Sequence, residues 1–280
     1  MSGCASPASR ISKAGSDSPS RTNQNRPGIP FAGVTVVLVN GNPETGSVWA
    51  PLIGALGRAD IAVMSPPGFG APVPDGFGAT YDEYVAWLVT QLEQIGEPVD
   101  LLGHDWGANF VLRLACERPD LLRSWSMDTA GCFAPGYSFP DVCHVWQTAG
   151  AGEEAIAAWL AVGVHGREAI NESLGMSAPV GHELAKAFDE TMGRCILSVY
   201  RSVPEDVLAY WGQRASAAAA RPGLVLIPTQ DVHTGGESGH RWLAERAQAK
   251  VAVLEGLGHW WMLEDPSLAA RALDQFWREC

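Results

Sequence analysis

The stretch VDLLGHDWGANFVLRLACERPD, residues 99–120, constrains the fold more than any other. A short apolar run, Val99 to Leu102, enters Gly103-His104-Asp105-Trp106-Gly107, and a helical pattern follows at once and stops before Pro119. A strand that turns so abruptly into a helix presents the side chain of the turn residue at the carboxyl end of a sheet, and small residues on either side permit the close approach. The turn residue here is Asp105. The partial positive charge of a helix N-terminus favours an anion at that point, so an ionised Asp105 is expected. The plainer alternative is that Asp105 only caps the helix, since Asp is a preferred N-cap.

The remaining chain repeats this strand–helix rhythm. VTVVLVN (34–40), IAVMSPPGFG (61–70), VDLLGHD and LRSWSMDTAG (122–131) read as strands, with helices at GSVWAPLIGAL (46–56), TYDEYVAWLVTQLEQIG (80–96) and ANFVLRLACERPD. In the second helix Tyr84, Leu88, Leu92 and Ile95 recur at helical spacing and Gly96 gives a stop. After Ala134 the rhythm breaks: 144–164, 181–202 and 204–220 read as successive helices without a strand between them. Strands return at GLVLIPTQD (223–231) and KVAVLEGLGHWW (250–261), and DPSLAARALDQFWREC closes the chain as a helix with Leu273, Phe276 and Trp277 inward. Alternating strands and helices imply an α/β fold, a mostly parallel sheet with helices on both faces. Residues 31–133 and 222–280 would form this core and 134–221 an inserted helical block. Residues 1–30, rich in Ser, Pro, Asn and Arg, read as a disordered tail without the apolar stripe of a transit peptide.

Composition removes several classes. A net charge of −12 disfavours nucleic acid and anionic membrane as main partners, and no apolar run approaches membrane-spanning length. Cys4, Cys116, Cys132, Cys143, Cys195 and Cys280 show neither C-x-x-C pairing nor zinc-ligand spacing, so free thiols in a cytoplasmic protein without a metal are expected.

Three further features surround the elbow. His259, in GLGHWW, follows the last strand, where a chain order of nucleophile, acid, histidine requires it. Asp231 follows the preceding strand and suits the acid, while Asp128, ending the strand after the elbow helix, is the rival; chain order favours Asp231. The loop NGNPETGSVW (40–49) follows the first strand, so a backbone N–H from it and that of Trp106 are placed to form an oxyanion hole.

Together these residues resemble the α/β-hydrolase fold, specifically its aspartate-nucleophile branch of haloalkane dehalogenases and epoxide hydrolases, over roughly residues 33–280. The resemblance implies that 134–221 is a cap domain over the elbow. It also implies an N-terminal hairpin before Val34, which residues 1–30 do not resemble; a sheet short at that edge would leave apolar surface for a partner. A carboxylate attacking an sp³ carbon gives an alkyl ester on Asp105, which His259, oriented by Asp231, hydrolyses through water. No cofactor is needed, and the partners are a small apolar organic substrate and water.

Leaving groups separate the two branches. Dehalogenases hold the halide with a tryptophan after the nucleophile and often an asparagine in an H-G-N-P loop; Trp106 and Asn42 match, while Asn40 replaces the usual histidine. Epoxide hydrolases usually protonate the oxygen with two cap tyrosines; Tyr200 resembles the second, and the first has no counterpart among Val142, Cys143 and His144, Tyr137 being nearest. Trp146, Trp159 and Trp211 are expected to pack the cap rather than touch substrate, the alternative being that one of them lines the pocket. The expectation is a haloalkane dehalogenase-like hydrolase, with an epoxide hydrolase using Tyr200 as acid the alternative. A noncatalytic homologue acting as a binding protein is the alternative of another class.

Overall fold

The computed structural model describes residues 34–176 and 178–280; the tail read at 1–30 lies outside them. Six strands form one sheet: β1 (Val36–Val39), β2 (Ile61–Val63), β3 (Val99–Gly103), β4 (Leu122–Met127), β5 (Gly223–Pro228) and β6 (Lys250–Leu254). Their order is β2-β1-β3-β4-β5-β6, and every pairing is parallel. The first half of the core contributes α1 (Ala50–Leu56), α2 (Tyr81–Ile95) and α3 (Trp106–Glu117). Between β4 and β5 lie α4 (Asp141–Gln147), α5 (Ala151–Ala161), α6 (Gly163–Ser173), α7 (Ala178–Ala187), α8 (Glu190–Ser202) and α9 (Glu205–Arg214). The chain ends with α10 (Gly236–Arg246), α11 (Trp261–Glu264) and α12 (Pro266–Arg278).

The near-continuous apolar runs have a direct cause. Side chains alternate along a strand, and here both faces are covered. Val37, Val39, Leu101, Val225 and Ile227 join one buried cluster, with α2 and α3; Val36, Leu38, Leu102, Leu224 and Leu226 join the other, with α1 and α12. Each such side chain removed from water contributes about 1.5–3 kcal/mol before the entropy of ordering is subtracted. The helix over 80–96 starts at a reciprocal cap, Thr80 with Glu83, and stops at Gly96 with φ 81°. In α12 Leu273, Phe276 and Trp277 are buried, and Asp265 caps its start by accepting the Leu268 N–H at 2.9 Å.

Two expectations need correction. The inserted block, read as three helices, has six. Gly150, at φ 84°, separates α4 from α5, and Asp189 caps α8 by accepting the Met192 N–H at 2.8 Å, ending what read as one helix over 181–202. The strands after the block also have a helix between them, α10, whose Gly-rich, polar start gave little periodic signal. Among the described residues β2 is one edge of the sheet, and no helix is long and apolar enough to cross a membrane.

Candidate active site

β3 delivers the elbow. Asp105 sits at φ 52° and ψ −123°, a conformation that costs an L-residue about 1–3 kcal/mol. The surroundings hold it there: its N–H donates to Asp128 Oδ1 at 3.2 Å, and its carbonyl accepts from Thr129 Oγ1 at 3.0 Å and Asn109 Nδ2 at 3.1 Å. The turn is too tight for side chains on its flanks, since a Cβ on Gly103 would lie 2.5 Å from the Gly107 carbonyl carbon and one on Gly107 2.3 Å from Val39 O. The Asp105 side chain makes no capping bond to α3, which removes the helix-cap alternative.

Its carboxylate turns instead towards the loop after β1. Asn42 N–H donates to Asp105 Oδ1 at 2.9 Å. A Cβ on Gly41 would stand 2.1 Å from that same oxygen, so only glycine lets this loop approach. Asp105 Oδ2 faces His259 Nε2 at 3.8 Å, and His259 Nδ1 lies 2.8 Å from Asp231 Oδ2. Asp231 Oδ1 accepts the His233 N–H at 2.8 Å, which fixes the carboxylate. The structure therefore brings together Asp105, His259 and Asp231. Asp128, the rival acid, instead contacts His104 Nδ1 at 2.5 Å.

Burial raises the Asp105 carboxyl above its ordinary value, opposed by the charge of His259 and the Asn42 N–H. The helix terminus alone, from which an ionised Asp105 was expected, is thus opposed by desolvation. Burial pulls His259 down, but the Asp231 charge and hydrogen bond outweigh it and leave the imidazole above its ordinary value. Asp231 is also desolvated, yet His259 and the His233 N–H hold it well below the carboxylate range.

A cavity of about 180 Å³ opens over these groups, lined among others by Asn42, Asp105, Trp106, Tyr200, His259 and Trp260. Asn42 is 6% exposed, and neither polar atom of its side chain has a protein partner. The Tyr200 ring packs edge-on against the Trp106 ring with centres 4.9 Å apart, and burial pushes its hydroxyl well above its ordinary value. Trp146 reaches the cavity and packs on Tyr200 with ring centres 4.9 Å apart, whereas Trp159 packs on Phe188 and Trp211 lies over Arg113. Asn40 is wholly buried and donates to the carbonyls of Gly41 and Phe69, which braces its loop against the segment after β2. Cys143 on α4, together with Cys132, Tyr137 and His233 from the short segments that join the longer elements, also lines the cavity; those segments carry no periodicity from which a sequence reading could place them.

Behind the elbow lies a second cluster, of which sequence reasoning found only Asp128. Glu44 Oε1 is 3.1 Å from His104 Nε2. Glu44, His104 and His259 have ligand atoms within 4.8 Å of one another, a spacing that could suit a metal. These atoms already face partners of their own, however: His104 lies between two carboxylates, and His259 Nδ1 meets Asp231. We therefore treat the group as an ion pair. Among the described residues Cys116, Cys132, Cys143, Cys195 and Cys280 are free thiols.

The family model described as the alpha/beta hydrolase family matches residues 36–272. The chain belongs to the alpha/beta hydrolase family. A haloalkane dehalogenase of Mycolicibacterium paratuberculosis (strain ATCC BAA-968 / K-10) is 32% identical over 96 residues, which is 32% of each chain, so the match spans about a third of that relative's length. Two solved structures share this fold. A loop variant of a haloalkane dehalogenase from Bradyrhizobium elkanii covers 88% of this chain and 89% of its own at 18% identity and a TM-score of 0.65. An enol-lactonase from Burkholderia xenovorans LB400 covers 90% and 94% at 16% identity and a TM-score of 0.68.

Proposed function

We propose that this alpha/beta hydrolase opens a carbon–halogen bond through an alkyl ester on Asp105. The observation that carries the reading is the carboxylate at the elbow. One oxygen is held by the Asn42 N–H, and the other is open to the cavity 3.8 Å from a histidine backed by Asp231. Asp105 Oδ2 attacks the sp³ carbon, and the bonding electrons leave with the halide. The Asn42 side-chain amide, buried at the cavity without a partner, is the donor for that anion, with the Trp106 indole beside it.

His259 then takes a proton from water through Nε2, and the hydroxide attacks the ester carbonyl. The oxyanion forms on Oδ1, where the Asn42 N–H already points. Asp231 stabilises the imidazolium, which returns its proton to the departing alkoxide. The products are an alcohol, a halide and a proton. Helices α4–α9 are read as the cap, since Trp146 on α4 and Tyr200 on α8 both line the cavity.

One observation favours a second reading. Tyr200, buried and lining the cavity, carries a hydroxyl donor of the kind an opening epoxide requires, and Tyr137, in the same cavity, donates to His233 O at 3.2 Å. Supporting catalysis over a pure binding role, the carboxylate of Asp105 faces a histidine that is itself backed by Asp231, an arrangement for proton transfer. The test compares bromobutane with epoxybutane. Release of bromide and butanol, lowered about tenfold or more in Asn42→Ala, is the expected result. Formation of the diol alone, lost in Tyr200→Phe, would replace dehalogenation with epoxide opening.

A further inference from the structure

The second cluster ties together two pieces of backbone that the proposed reaction needs at a fixed separation. Glu44 Oε2 accepts the N–H of Gly41, in the loop that presents Asn42. Asp128 Oδ1 accepts the N–H of Asp105 itself. Between the two carboxylates stands His104, which directs Nε2 to Glu44 and Nδ1 to Asp128. Glu44 Oε1 and Asp128 Oδ2, the oxygens that face His104, also accept the indole N–H groups of Trp260 and Trp261 respectively, each at 2.6 Å. Asp128 also accepts from Thr129 Oγ1 at 2.9 Å, and its backbone carbonyl accepts from His240. The three side chains are 0–3% exposed.

Counting donors sets the protonation. The carboxylates meet N–H and O–H groups on nearly every side, so both act as acceptors. An imidazole with a carboxylate oxygen at each nitrogen donates from both, and only the cation does so. We infer that Glu44, His104 and Asp128 form an ion-paired clasp that fixes the oxyanion loop against the nucleophile elbow and adjusts the catalytic base beside it. All three are thus positioning residues. The inference rests on the reading of Asp105 as nucleophile and His259 as base.

The second part follows from distance. The His104 and His259 rings lie 4.7 Å apart. His259 therefore feels the anions of Asp231, Asp105, Glu44 and Asp128, which favour its protonated form. Against these stand two other imidazoles, the His104 cation and His233. The clasp cation offsets part of the anionic surroundings and keeps more of His259 available as a base. His104 is stabilised as a cation by Asp128 and Glu44, against its desolvation.

The test is the pH profile of ester hydrolysis, followed in single turnover with bromobutane and epoxybutane. Removing the cation in His104→Gln should move the acid limb to higher pH. Removing an anion in Glu44→Gln, where Asp128 still holds the His104 proton, should move it to lower pH. Both variants should slow the plateau by about ten- to a hundredfold as the two backbone segments lose register. Opposite shifts support the clasp; shifts of the same sign, or none with an unchanged plateau, overturn it. Nitrogen NMR of histidine-labelled wild-type protein keeps the question open to refutation if a variant does not fold. Two protonated ring nitrogens on His104 throughout the neutral range are expected, and one bare nitrogen there would overturn the clasp. If neither probe alkylates the wild type, the functional reading fails, and the NMR result still decides the charge state separately.

Discussion

Two histidines lie almost ring to ring in this protein, each set against a pair of carboxylates, and they differ in how completely they are satisfied. His104 has a carboxylate oxygen at both nitrogens, at 2.5 and 3.1 Å, and no contact with solvent. His259 has one close carboxylate, Asp231 at 2.8 Å, and a gap of 3.8 Å to Asp105 beneath an open cavity. The residue types are nearly the same. A closed cluster has no vacant coordination for a reactant, so its interactions go into holding the structure. The open cluster leaves one nitrogen and one carboxylate oxygen uncommitted, and there a proton and a carbon centre can be exchanged.

The contrast is broken most severely at the nucleophile. Asp105→Asn should lower turnover by about 10⁴-fold or more while leaving the melting temperature close to that of the wild type. Unchanged turnover, measured as halide or diol release, would remove the open cluster from the chemistry. In the closed cluster the effect should fall on stability. Glu44→Gln leaves the His104 cation with half its partners, and breaking such a buried pair costs about 3–5 kcal/mol, read as a lower denaturant midpoint. A midpoint equal to that of the wild type would mean that the cluster is not charged.

A third variant addresses the seam between them. Gly41→Ala would push a methyl group into Asp105 Oδ1, and the displaced carboxylate should lose about a hundredfold in rate, with a modest loss of stability. Losses in both alkylation and ester hydrolysis are expected, since displacing the carboxylate misdirects Oδ2 for attack and takes Oδ1 away from the Asn42 N–H; rapid-quench analysis separates the two steps.

The smallest effects concern pH. His104 lies above its ordinary value, so its contribution to stability is complete below the unfolded histidine value and lost as pH rises through the folded one. Glu44 and Asp128 lie below theirs, so their contribution is complete above the unfolded carboxylate value and lost as pH falls through the folded one. Stability from the clasp should therefore peak in the mildly acidic window between, measurable as melting temperature against pH. For the open cluster, base catalysis by His259 should rise as pH climbs through its raised value. Esterification removes the negative charge of Asp105, which had favoured protonated His259, so the limb for ester hydrolysis should lie below the limb for His259 in the free protein.

Much of this was legible in the sequence, for identifiable reasons. Buried parallel strands write themselves as apolar runs, and Gly103-His104-Asp105-Trp106-Gly107 records the steric demand of one turn. Chain order then led to Asp231 and His259, which the structure places 2.8 Å apart. The closed cluster was hidden because Glu44, His104 and Asp128 come from three different loops, and a lone Glu after Asn-Pro reads as surface. The helical insertion was blurred where single residues, Gly150 and Asp189, end helices whose composition would allow them to continue.

The central claim is that Asp105 becomes alkylated and that His259 frees it. His259→Gln protein, incubated with bromoalkanes and terminal epoxides, would be read by intact mass and peptide mapping. A stable adduct on Asp105 is predicted, simple alkyl from a bromide or hydroxyalkyl from an epoxide, whichever reaction the cavity supports. An adduct on another residue, or an unmodified Asp105 in a variant whose wild-type parent turns the same compound over, would contradict the account.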